Sequence, residues 1–163
     1  MNNPNKIVTP RVIALVFFFI IVIPFLPLFI SRHWGWWEAW VYAITSILGF
    51  AISRFLARRR NPDLLKERAH FMCHENTESW DKILAPLVGL GGGLIPLVAG
   101  LDALFDWSPT YSLLIKIISL FIMLIGYVLG SYALIENRYF SGMVRIQMDR
   151  EHHVISTGPY RWM

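Results

Sequence analysis

The side chains best suited to chemistry crowd toward the end of this 163-residue chain. Gln147, Asp149, Arg150, Glu151, His152 and His153 share one polar stretch, and Val154-Ile155-Ser156-Thr157-Gly158-Pro159-Tyr160-Arg161-Trp162 follows it. Covalent catalysis by a serine or threonine needs a base beside it, and acid–base hydrolysis of a glycoside needs two facing carboxylates. Neither arrangement is readable here. Val154 and Ile155 predict a short extended segment and Gly158-Pro159 a turn. Taken by themselves these residues describe a polar tail in which Tyr160 anchors at an interface and the paired histidines sit in solvent. Elsewhere, His70 and His74 lie four apart with Cys73 between them, but metal binding needs further ligands at suitable spacing, and none is found. A single thiol cannot close an internal disulfide.

What must position this tail is a set of apolar segments. The chain is 55% hydrophobic and only 16% charged, where soluble domains hold about 45–50% apolar and about 25% charged residues. Nearly uncharged stretches of the length needed to cross a hydrocarbon core as helix recur four times, at about 12–31, 36–57, 83–105 and 111–135. The first is longer than a signal-peptide core, carries Pro24 and Pro27, and lacks a small-residue cleavage site, so it reads as a retained span. Its two prolines predict a kink in its second half. The expected fold class is therefore an all-α integral membrane protein with four transmembrane helices. Residues 1–135 form the bundle and 136–163 a cytoplasmic region.

Charge placement orients the bundle. Two basic residues precede the first span, seven lie at or within the connection between the second and third, and four follow the fourth; these are thirteen of the 15. The opposite side has Arg32 and the acidic pair Asp102 and Asp106. The positive-inside rule puts both termini in the cytoplasm, in a bacterial inner membrane. Because Arg58-Arg59-Arg60 directly follows a span, anionic lipid headgroups suit it and nucleic acid does not. Trp34, Trp36, Trp37 and Trp40 cluster at the first hairpin, and Trp80 and Trp107 flank the third span, as an interfacial belt requires.

Two further expectations concern packing and the 58–82 loop. Gly89, Gly91, Gly92, Gly93 and Gly100 in the third span, and Gly126 and Gly130 in the fourth, predict close helix approach, and the latter two leave a helix dimer open. Gly-Leu-Gly-Gly-Gly at 89–93 lacks the Lys-Ser/Thr of a phosphate loop. Asn61-Pro62-Asp63 predicts the start of a short interfacial helix within the 58–82 loop. Glu136, at the end of the fourth span, is expected to reach water.

Ser156-Thr157-Gly158-Pro159-Tyr160-Arg161-Trp162, after four such segments, resembles a motif of the isoprenylcysteine carboxyl methyltransferase family and the related phospholipid methyltransferases. The resemblance implies S-adenosylmethionine as cofactor, a lipid-like or prenylated methyl acceptor, and in-line transfer of the sulfonium methyl. Position by position it implies cofactor contacts at Gln147, at His152 through Ile155 (His152, His153, Val154, Ile155) and at Tyr160, either histidine matching the family's own. In that family the phrase runs on into Arg-His-Pro-x-Tyr, another helix and a glutamate-rich stretch. The 163 residues are thus expected to be the front of such an enzyme, neither binding the cofactor tightly nor turning over alone. Two other readings stay open: a non-enzymatic four-helix membrane protein, and a relative of the membrane sterol reductases, which generally have more spans.

Overall fold

A long apolar run in lipid has no water to satisfy its amides, so it must close its backbone hydrogen bonds within itself. The computed structural model describes residues 14, 17–61, 78–139 and 154–162, and among them every regular element is helical. Helix α1 (Phe18–Ser31) is wound as a π-helix over Phe18–Val22 and as an α-helix over Ile23–Ser31. Helix α2 covers Trp37–Arg60, α3 Asp81–Phe105 and α4 Leu113–Glu136, and a 3-10 helix follows at Gly158–Trp162. The 24 or 25 residues of α2, α3 and α4 reach about 36 Å at 1.5 Å per residue, more than a hydrocarbon core of roughly 30 Å. These three are long and apolar enough to cross a membrane; α1 is apolar but shorter over its described part.

Over α2, α3 and α4 the element boundaries differ by three residues or fewer from those read in the sequence. The largest difference is at the end of α2, which continues through Arg58, Arg59 and Arg60. Cations in a last helical turn face the negative end of the helix dipole, which favours the extra turn. The interfacial helix expected after it falls on 62–77, outside the described residues. In α1 the wide π turn, closed by the Ile23 N–H on the Phe18 carbonyl, comes immediately before Pro24. Proline cannot donate to the preceding turn and its ring crowds the carbonyl four residues back, so the change of winding meets the constraint on the N-terminal side of the proline. Left-handed residues end two helices: Arg32 (φ 57°) bonds the Leu28 carbonyl at 3.0 Å, and Asp106 (φ 52°) caps onto Asp102.

The helices pack in two parallel pairs joined by a hairpin. In the first pair α1 lies along α3: a Cβ built on Gly93 would meet Ile23 at 3.4 Å, and one on Gly100 would meet Ile30 at 2.9 Å and Pro27 at 3.1 Å. In the second, α2 lies along α4, with Glu38 paired to Lys116 near one end and Arg60 to Glu136 at the other. The α1–α2 hairpin is closed by aromatic contacts, Phe25 edge-on to Trp40 at 5.8 Å and Phe29 to Trp34 at 5.6 Å. The Trp40 indole N–H also donates to the Trp34 carbonyl at 2.8 Å, which satisfies the polar edge of a ring at the expected belt.

The glycines do not all serve the purpose their spacing suggests. Gly93 and Gly100 do sit against α1, and Gly49 on α2 lies beneath the Tyr127 ring. At Gly89, Gly91, Gly92, Gly126 and Gly130, nothing among the described residues lies within 4 Å of a built Cβ. Glycine spacing licenses a close approach without saying which partner fills it. Here α1 and α2 occupy the centre, and α3 and α4 are not a packed pair. Gly100→Ala is expected to destabilise the protein by about 1–3 kcal/mol through overpacking against backbone and a β-branched side chain. Gly126→Ala should leave stability unchanged or slightly raised. Thermal unfolding of both variants in detergent, followed by circular dichroism, checks the contrast.

Candidate functional site

The last turn of an α-helix leaves four carbonyls without partners inside the helix. In α4 the Asn137 N–H closes the helix on the Ala133 carbonyl, so the open carbonyls begin at Leu134; one of these, and the Ala133 carbonyl besides, is reached by a side chain from far along the chain. Asn61, just past the end of α2, donates its side-chain N–H to the Ile135 carbonyl at 2.8 Å. Tyr160, from the 3-10 helix, reaches the Ala133 carbonyl with its hydroxyl at 3.5 Å, and the same carbonyl accepts the Asn137 N–H at 3.1 Å. Asn137 in turn accepts the Tyr139 N–H on its side-chain oxygen at 2.9 Å, a local turn that stops the helix. Tyr139 is buried, with the Arg138 guanidinium over its ring and hydrogen bonded to its hydroxyl.

Glu136 is the floor of this assembly. Its side chain is 15% exposed and pairs with Arg60 at 3.6 Å, so it reaches water only in part and is held mainly by its neighbours. Gly158 lies directly over it: φ is +59°, and a Cβ added there would come within 2.7 Å of the Glu136 Cγ. Two independent constraints therefore call for glycine at 158, a left-handed backbone and the absence of space. The 3-10 helix Gly158–Trp162 is the turn that Gly158-Pro159 predicts, and it is seated on the end of α4.

One turn further into α4 a cleft opens. It has a volume of about 700 Å³, and all four helices contribute to it. Its floor is α1 and α2, with Pro24, Tyr42, Ser46 and Arg54; its walls are Gly89 and Gly92 on α3 and Gly126 and Gly130 on α4. Four of the five glycines that contact nothing, all but Gly91, thus border a space between α3 and α4. The lining is mainly apolar, interrupted by hydroxyls and by one guanidinium. Pro96 cannot donate to the Gly92 carbonyl one turn earlier, which leaves that wall with a peptide oxygen lacking its usual helical partner.

The residues expected at a cofactor site divide as follows. Tyr160 is half-buried on α4, Ile155 is half-buried, and Val154 is 88% exposed. Gln147, His152 and His153 lie outside the described residues. Asn61, Arg60 and Glu136, which hold the turn, were not singled out as site residues, because each carries an ordinary local meaning: helix start, basic flank, helix end. The one available signal is that all three fall where an apolar span stops on the basic side.

The relative strength of these contacts can be tested. Arg60 is 64% exposed, and an ion pair with so exposed a partner contributes at most about 1 kcal/mol. A non-glycine residue at 158 has to accept a left-handed backbone, which costs roughly 1–2 kcal/mol before any displacement of Glu136. Gly158→Ala is therefore expected to unseat the 3-10 helix far more than Glu136→Gln. Amide hydrogen exchange at residues 158–162 should rise several-fold in the first variant and change little in the second, a ranking that equal exchange in the two would overturn.

Comparison with protein-family models, with curated proteins and with solved structures finds no match for this chain.

Proposed function

We propose that this chain is the membrane-embedded part of an S-adenosylmethionine-dependent methyltransferase acting on a lipid-like or prenylated acceptor, with its basic end and both termini in the cytoplasm. The observation that carries the reading is the seating of Gly158–Trp162 on the end of α4, one helical turn from the mouth of the cleft. The terminal phrase is the part that resembles the methyltransferase motif, and it lies at the end where Arg58, Arg59 and Arg60 gather.

The arrangement suits a reaction between partners of opposite solubility. A charged sulfonium cofactor arrives from water, and a lipid-soluble acceptor arrives along the bilayer. Where they meet, in-line methyl transfer asks the protein mainly for positioning and exclusion of water. The terminal phrase belongs to the polar side of that meeting point and the cleft to the apolar side. Tyr160 would present its ring face there while its hydroxyl is held by the Ala133 carbonyl, and Val154 and Ile155 would offer backbone groups to the cofactor. Residues that complete the cofactor's enclosure in the family motif follow Arg161 and Trp162.

The test is methyl transfer in membranes from cells expressing the natural reading frame. With S-adenosylmethionine carrying a labelled methyl group, label is expected in a solvent-extractable lipid or a prenylated product. Tyr160→Ala should lower the rate by about tenfold or more, consistent with the steep cost of small misplacements in positioned reactions. Membranes that hold the folded protein yet transfer no label and crosslink no cofactor would remove the proposal and favour a non-catalytic membrane role.

A further inference from the structure

Arg54 lies on α2 six residues before the helix end at Arg60, about 9 Å deeper along the axis at 1.5 Å per residue. Arg54 is among the residues that line the cleft. The Phe50 ring covers one flat face of its guanidinium, with the guanidinium carbon 4.8 Å from the ring centre. A ring satisfies the face of a guanidinium and leaves the N–H groups in its plane unused. The Arg54 Nη1 is buried and has no hydrogen-bond partner. Among the described residues no carboxylate pairs with Arg54; Glu38 and Glu136 are engaged by Lys116 and Arg60.

A half-buried cation with one buried donor nitrogen unpaired, bordering an open space, calls for an anion in that space. We propose that the cleft binds one anionic phospholipid, its phosphate on the Arg54 guanidinium and one acyl chain lying along the glycine walls. The depths agree. Ser131 on α4 and Gly89 on α3 are close to the level of Arg54, counting residues from the same ends of their helices, so the headgroup region has both a hydroxyl and room. Further in, the lining turns to Ile23, Ile95 and Met123, a surface for a hydrocarbon chain. Tyr42 and Arg54 stand twelve residues apart on α2, which makes the lined length about 18 Å. The volume of about 700 Å³ lies inside the roughly 300–1,000 Å³ of sites that enclose small ligands. The surface cations Arg58 and Arg59 favour the same leaflet by attracting anionic lipid. The vacant Cβ positions of Gly92 and Gly126 keep the chain's path open.

This binding does not depend on the methyltransferase reading, since a lipid can be held whether or not a methyl group moves, and its readout involves no turnover. The purified protein is reconstituted in phosphatidylcholine with a minor fraction of phosphatidylglycerol, extracted into mild detergent, and examined by native mass spectrometry. One retained phosphatidylglycerol per chain is expected. Arg54→Gln should cut its retention by about tenfold, the usual scale for losing a hydrogen bond to a charged group, and Arg54→Lys should restore part of it. Gly92→Leu with Gly126→Leu should abolish retention by occupying the cleft without touching any charge. Those two variants decide the matter if Arg54→Gln fails to fold. The double variant Arg58→Gln, Arg59→Gln separates the site from general surface attraction, and it should retain the lipid nearly as wild type does. Equal retention of phosphatidylcholine, or loss of lipid in the surface variant with none in Arg54→Gln or the leucine variant, would overturn the proposal.

Discussion

The pairing of α2 with α4 is the constraint from which the rest follows. Lipid tails are as apolar as leucine, so burial supplies little drive between membrane helices, and their register is set by close packing and polar contacts. This pair has both. Lys116 sits one turn inside α4, where an ammonium without a partner would be costly, and Glu38 in the first turn of α2 answers it. Arg60 and Glu136 meet at the other end. Between them Tyr127 covers Gly49, and Ala57 packs on Leu134. Complementary charges at both ends allow one parallel alignment, because sliding α4 by a single turn would break both pairs together.

Once that alignment is fixed, the cleft is a geometric consequence. The short link between α1 and α2 holds α1 beside α2, and Gly100 lets α3 settle on the far side of α1 at Pro27 and Ile30. The four helices then stand in the order α3, α1, α2, α4, and curvature of that row brings the outer two toward one another with a space between. Glycines on the facing walls keep the space wide. Had they carried leucines, side chains could have filled it and the polar groups of α2 would have lost their opening. Arg54 matters for the same reason: among the described residues its guanidinium meets the Phe50 ring and no carboxylate, whereas Lys116 and Arg60 are paired with Glu38 and Glu136.

The sequence made the helices legible and the contacts between them much less so. Composition and span length lead directly to α2, α3 and α4, because a run of some 20 apolar residues in lipid has one backbone solution. The turn at Gly158-Pro159 was equally plain, since few residues other than glycine accept its backbone. The role of the glycines was not, because spacing along one helix is silent about which neighbour arrives, and five of those singled out face open space. The π-winding of α1 was missed as well. Proline announces a disturbance of the helical ladder without announcing whether it will be met by a bend or by a wider turn.

The seat of the terminal motif was hidden for a more general reason. Caps recognised in sequences are local: an asparagine or glycine within a few residues of the helix end. The end of α4 has one of these in Asn137, yet two of its carbonyls are reached by side chains 74 and 27 residues away. Such a cap cannot be read from a window around the helix, since neither Asn61 nor Tyr160 is unusual where it stands in the chain. It also sorts the contacts by strength. At a membrane–water boundary a carbonyl that loses Tyr160 regains a water, so that long hydrogen bond contributes little net stability. The ion pair beneath is screened because Arg60 is largely exposed. What remains is the fit of a glycine with no side chain over the Glu136 methylenes, in a backbone conformation that other residues resist. The position of the 3-10 helix on the end of α4 thus depends less on the polar groups that mark it than on the one residue there with no side chain at all.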